Sequence, residues 1–178
     1  MSLLTGISLY LYACVPVPLA NLRAVHVQRL SAAALPAQDD LRETLVQRGE
    51  AVWKVTLAGS SDWINQIRRH ELNGYAVVVP CDAPDIELFA SGPYQGITKV
   101  SYYGRGFNAL RSTAGDTTYD LYVPETGTFI LRADVNKHMS DYDLGRERLN
   151  LCVSLAGGAM TGAYARSNEV RVEVGRAR

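Results

Sequence analysis

Carboxylates form the densest groups of chemically competent side chains in this sequence. Asp82, Asp85 and Glu87 fall within six residues, and Asp134, Asp141, Asp143 and Glu147 within fourteen. Two carboxyls facing each other across a cleft can divide acid and base work at a glycosidic bond. A loop of carboxylates can instead hold calcium, and residues 136–144 (NKHMSDYDL) are the better segment for that, although their spacing is not that of an EF-hand. Solvated loop charges account for both groups equally well. A carbohydrate-active or calcium-dependent hydrolase is therefore one reading, and it requires the two groups to converge in one cleft.

Other chemistry is scarce. The three histidines, His26, His70 and His138, stand apart with no HExxH or HxH spacing, so no zinc site is expected. There is no GxSxG and no GxxxxGK[ST], which removes the nucleophile elbow and the phosphate-binding loop. The segment Gly104-Arg105-Gly106 is too short for a dinucleotide fingerprint. No catalytic residue, metal ligand or cofactor is assigned. Cys14, Cys81 and Cys152 lack CxxC spacing. Cys14 and Cys152 both face away from the aliphatic side of their strands, so those two could bridge in an oxidising compartment. Three unrelated thiols are the alternative.

The elements that would position these groups are mostly strands. Residues 21–30, 51–58, 75–80, 85–90, 97–104, 119–123, 128–135, 149–155 and 169–174 are short apolar or alternating runs, punctuated by Gly, Pro and Asp. One helix is expected near residues 61–72, with Trp63, Ile64 and Ile67 on its apolar face and Asn73-Gly74 as its stop. Residues 41–48 read either as a short helix capped by Asp39-Asp40 and stopped by Gly49, or as one arm of a hairpin turning at residues 48–50. The expected fold is mainly β: a single immunoglobulin-like β-sandwich over residues 1–178, of about nine strands with one inserted helix.

Residues 1–20 have two readings. Ile7, Leu9, Leu11, Ala13 and Val15 alternate with Ser8, Tyr10, Tyr12 and Cys14, which makes a first strand. The run Leu11-Tyr12-Ala13-Cys14 also resembles a lipobox, but a leader needs a positive segment before its apolar stretch, and no Lys or Arg precedes this one. The strand is the preferred reading. The compartment is cytoplasmic by default, and the cell envelope or periplasm if a leader was trimmed or Cys14 is lipidated. Membrane association is expected only in that last case.

Charge and tyrosine bear on partners. Lys+Arg and Asp+Glu are both 18, giving zero formal charge, which argues against nucleic acid, whose phosphates demand basic excess. No apolar run approaches the ~20 residues of a spanning helix. Ten tyrosines stand against three phenylalanines. Tyrosine is enriched in recognition surfaces, and it also fills sheet positions well. Tyr10 and Tyr12 share a face of the first strand. Residues 157–168 read as a long glycine-rich loop, with Met160 and Tyr164 at its tip, between two terminal strands.

The Leu11-Tyr12-Ala13-Cys14 run, the β-rich body and the terminal hairpin from Gly157-Gly158-Ala159-Met160 to Ser167-Asn168-Glu169-Val170 together resemble small bacterial immunity proteins and envelope lipoproteins associated with type VI secretion effectors. The resemblance implies a non-catalytic protein-binding module that binds one cognate toxin and occludes its active site, with Met160, Tyr164 and Arg166 as contact residues. A structural or assembly component of a secretion or capsid-like machine is the alternative.

Overall fold

Alternating aliphatic and polar residues build the strands that carry this fold. In a computed structural model, which describes residues 17–19, 21–60, 62–110, 115–160 and 164–175, the chain runs through β1 (Val17–Leu19), β2 (Arg23–Ser31), α1 (Arg42–Gln47), β3 (Ala51–Ser60), α2 (Asp62–His70), β4 (Asn73–Pro80), β5 (Ile86–Glu87), β6 (Ser91–Gln95), β7 (Thr98–Lys99), β8 (Asp116–Pro124), β9 (Thr126–Leu131), β10 (Asp134–Asp143), β11 (Arg148–Gly158), β12 (Tyr164–Ser167) and β13 (Val170–Gly175). The protein is mainly β. Its pairings are antiparallel except that of β1 with β12, and no barrel forms among the described residues. The expected first strand over residues 7–15, with Tyr10, Tyr12 and Cys14, lies outside the described residues.

Strand β11 organises the first sheet. One edge pairs with β4, from Leu151 opposite Pro80 to Gly158 opposite Asn73. Its other edge pairs with β13 at Arg148–Val153 and with β12 at Ala156–Gly158. A second sheet has the order β2-β3-β8-β6-β7, and a third, smaller one the order β10-β9-β5. The first two sheets share one core. Val78, Leu151, Val153, Leu155 and Val172 come from the first, and Val55, Leu57, Tyr119, Leu121 and Val123 from the second. Side chains of this size each contribute ~1.5–3 kcal/mol when fully buried.

Helix α2 adds Trp63, Ile64 and Ile67 to that core, all at 2% exposure or less, as the i, i+1, i+4 spacing requires. It stops earlier than expected. Glu71 takes a left-handed conformation (φ 51°), and the Leu72 amide donates back to the Ile67 carbonyl at 3.0 Å, a Schellman-type ending. Gly74 is therefore not the stop signal. It sits in β4, where a Cβ would collide with the Val100 carbonyl oxygen and lie 2.9 Å from Ile67 Cδ1. Glycine is required there for close approach.

Of the two readings of residues 41–48, the short helix holds and the hairpin arm does not, since the preceding strand that pairs with β3 is β2. α1 forms, entered through Asp39, whose Oδ1 accepts from the Leu41 amide, and closed by Gly49 at φ 67°. It lies in the connection of an antiparallel β2–β3 pair. The strands outnumber the nine expected because several short or polar segments pair without an apolar period. Residues 136–144, considered as a loop, lie largely in β10, paired with β9. Among its described residues, the loop expected over residues 157–168 is mostly strand, since β11 continues to Gly158 and β12 pairs back onto it. The turn expected at residues 91–93 is the start of β6.

The cysteines also require correction. Cys152 is bonded to Cys81, 71 residues away, with a Cα–Cα separation of 5.0 Å. Cys152 stands opposite Val79 in the ladder, and Cys81, two residues beyond Val79, presents its side chain to the same face. The Cys81 amide donates to the Asn150 carbonyl at 2.9 Å. Neither a Cys14–Cys152 bridge nor three unrelated thiols describes this chain. A crosslink over so long a loop restricts the unfolded ensemble. The double variant Cys81→Ala/Cys152→Ala is expected to lose about 2–4 kcal/mol of stability in chemical denaturation under oxidising conditions. A loss under about 0.5 kcal/mol contradicts a structural role for this bond.

Candidate functional site

Successive residues of a strand face opposite sides of its sheet, and this rule places the candidate surface. On β4, Ala76 and Val78 belong to the shared core, so Tyr75, Val77 and Val79 face away from it. On β11, Leu151, Val153 and Leu155 face the core, so Cys152, Ser154 and Ala156 face away. On β12, Ala165 is in the core, and Tyr164 and Arg166 face away. The register aligns Tyr75, Ala156 and Arg166 in one row across three strands. Ala156, between the tyrosine and the arginine, is fully buried. Beside this row, Val77, Val79 and Ala156 form a second small apolar cluster with Cys152 against it.

Tyr75 and Tyr164 remain 40% and 38% exposed. Burial of its other side pushes the Tyr75 hydroxyl pKa upward. Tyr164 and Glu87 add to that shift, while Arg166 and Arg132 oppose it. These five groups therefore share one electrostatic neighbourhood. Its charges are paired: Arg132 lies 3.6 Å from Glu87, and Arg166 lies 2.9 Å from Glu169. The result is a pair of exposed tyrosines with two ion pairs beside them.

Of the residues singled out in the sequence, Tyr164 and Arg166 come together on this face. Met160 follows β11 and is fully exposed. Tyr10, Tyr12 and Cys14 lie outside the described residues. Tyr75, Glu87 and Arg132 escape a reading of the sequence. The continuous Val77-Val78-Val79 run hides the alternation that turns Tyr75 outward, and Glu87 reads there only as one of a carboxylate group.

The two carboxylate groups lie at opposite edges of the third sheet, Glu87 on β5 and Asp134, Asp141 and Asp143 on β10, with Asp82, Asp85 and Glu147 in the adjoining turns. Glu87 of β5 pairs with Ile130 of β9, which pairs with His138 of β10, so the edge backbones are two strand spacings, roughly 10 Å, apart. Local partners occupy them. Asp141 accepts from the Thr128 hydroxyl at 2.7 Å, Asp143 from the Gly145 amide at 2.9 Å, and Glu147 from the Asp143 amide at 2.7 Å. Among the described residues no three His, Cys, Asp or Glu side chains group as metal ligands.

A second polar centre lies elsewhere. Asp39 is buried and accepts hydrogen bonds from the Ser91 hydroxyl and, at 2.6 Å, from the Tyr94 hydroxyl. Burial first, then the bond to Asp39, drives the Tyr94 hydroxyl pKa strongly upward, so it stays protonated. In the sequence Asp39 reads only as a helix cap and Ser91 only as part of a turn. Their meeting depends on long-range packing.

The chain matches no protein-family model, no curated protein and no solved structure.

Glu87 provides a test of the electrostatics. Burial raises its carboxyl above the ordinary 4.5, and Arg132 opposes that. The fold holds this proton more tightly than the open chain does. The carboxylate therefore works against stability above the shifted pKa, and the penalty disappears as pH falls toward the unfolded value. Arg132→Ala is expected to move the Glu87 midpoint further upward in a carboxyl-carbon NMR titration. An unchanged or lower midpoint contradicts the arrangement.

Proposed function

We propose that this protein is a non-catalytic binding module that engages a protein partner through the outward face of β4, β11 and β12. The observation that carries this reading is the row of Tyr75, Ala156 and Arg166 with Tyr164 beside it, an exposed pair of tyrosines fixed on rigid strands. Tyr and Arg are the residue types that dominate binding energy in protein interfaces. Holding them on strands lowers the ordering cost of association. Met160, fully exposed beyond the end of β11, offers an adaptable apolar side chain to a partner.

The specific form of the proposal is an immunity protein, in which the face covers the active site of a cognate toxin over an interface of about 1,600 Å². We read the two sheets that share the core as the layers of a sandwich that presents this face. The disulfide favours an oxidising compartment, where an immunity protein against an exported toxin would act. Assembly through strand edges draws less support. The exposed edge strand β10 carries Asp134, Lys137 and Asp141, and charged edges resist pairing with another sheet.

The test is co-expression with the products of neighbouring genes, followed by affinity capture, light scattering and titration of the captured protein's activity. A single 1:1 partner is expected, inhibited on binding, with Tyr75→Ala/Tyr164→Ala raising the Kd at least tenfold while the far-UV spectrum is unchanged. A partner bound equally well by that variant, or recovery of the protein only as its own large oligomer, contradicts the proposal.

A further inference from the structure

A cavity of about 290 Å³ opens beside the buried Asp39, walled by Asp40, Phe89, Tyr94, Lys99 and Arg105. Four chain segments build it: the approach to α1, the lead into β6, strand β7 and the turn after it. Lys99 stands opposite Tyr94 in the β6–β7 ladder, which puts the ammonium-bearing side chain on the same face as the tyrosine. Gly104 shapes the turn: a Cβ there would lie 2.9 Å from the carbonyl oxygens of both Lys99 and Ser101.

The wall's groups divide into those already occupied and those free for a ligand. Asp39 is occupied, since Ser91 and Tyr94 donate to one of its oxygens and the Leu41 amide to the other. Lys99, Arg105 and Asp40 make no ion pair among the described residues. Phe89 keeps half its surface exposed. Two free cations, one free carboxylate and one aromatic ring thus remain. The cations come from β7 and the turn after it, and the carboxylates Asp39 and Asp40 come from the approach to α1. Formal charge in the wall sums to zero, but its two signs belong to different segments.

We infer that this cavity binds a small zwitterion of the α-amino acid class, its carboxylate on Lys99 and Arg105, its ammonium on Asp40 and its side chain against Phe89. Other ligand classes fit the inventory less well. A simple anion on the two cations would leave Asp40 without a partner, and a simple cation on Asp40 would leave Lys99 and Arg105 without one. A neutral sugar would leave three charges unpaired as it displaced their water. The volume lies at the lower end for ligand pockets, which excludes dinucleotides and large cofactors. The site shares no residue with the Tyr75–Tyr164–Arg166 face, so its test is independent of the partner reading.

The experiment is isothermal titration of the full chain with each of the twenty standard L-α-amino acids. At least one is expected to bind saturably, with a Kd between about 1 μM and 1 mM. Two analogues of that amino acid, one lacking the amine and one lacking the carboxylate, are each expected to bind at least tenfold more weakly to the wild-type protein. Asp40→Asn and Arg105→Gln, both at exposed positions, are expected to weaken binding at least tenfold with the far-UV spectrum unchanged. Absence of saturable binding by all twenty overturns the inference. So does equal affinity for either analogue, which requires no variant to fold.

Discussion

Helix α2 lies against the first sheet at a place where two strands lack side chains. Gly74 and Gly157 are register partners on β4 and β11, and Ala165 of β12 continues the row. A Cβ on Gly157 would lie 3.1 Å from both Leu72 Cβ and Trp63 Cη2, while Gly74 admits the Val100 carbonyl and the end of Ile67. Interiors are packed like crystals and yield little to an added atom. The row therefore fixes the height at which α2 sits. It also fixes the segment after β7, which Arg68 ties to the helix by donating to the Leu110 carbonyl at 2.7 Å and by stacking over Phe107.

The same alternation that turns Gly74, Gly157 and Ala165 inward turns Tyr75, Ala156 and Arg166 outward. One side of the sheet is a bed for the helix; the other is buried at Val77, Val79, Ser154 and Ala156 and exposes the proposed contact residues Tyr75 and Tyr164. The Cys81–Cys152 bond closes the β4–β11 ladder toward its other end, on the outward face. The two long-range devices, a glycine row and a disulfide, thus bear on the same strand pair, and the proposed contact residues lie between them or beside them.

Much of the β content and the main helix were legible because they rest on local period. Trp63, Ile64 and Ile67 announce α2, and residues 51–58 and 149–155 announce the central strands. The cysteine pairing was not legible, because it follows from the register of β4 against β11 across 71 residues. Strands β6, β10 and β12 were missed because proline, glycine and charged residues break their alternation, and backbone pairing with neighbours determines them instead. Tyr164 and Arg166 could be singled out by residue type, but not the strand that aligns them with Tyr75. The Asp39–Ser91–Tyr94 centre left no local signal beyond a helix cap.

The row of missing side chains is tested most directly by comparing Gly74→Ala with Gly158→Ala in equilibrium denaturation. Gly158 lies one position beyond Gly157 on the same strand and has open space around its Cα, with nothing within 4 Å of an added methyl group. Overpacking a filled site costs about 1–3 kcal/mol and sometimes more. Gly74→Ala is predicted to lose at least about 3 kcal/mol or fail to fold, while Gly158→Ala stays within about 0.5 kcal/mol of the parent. Equal stability of the two variants would contradict the account, because the helix would then not depend on the space that Gly74 leaves.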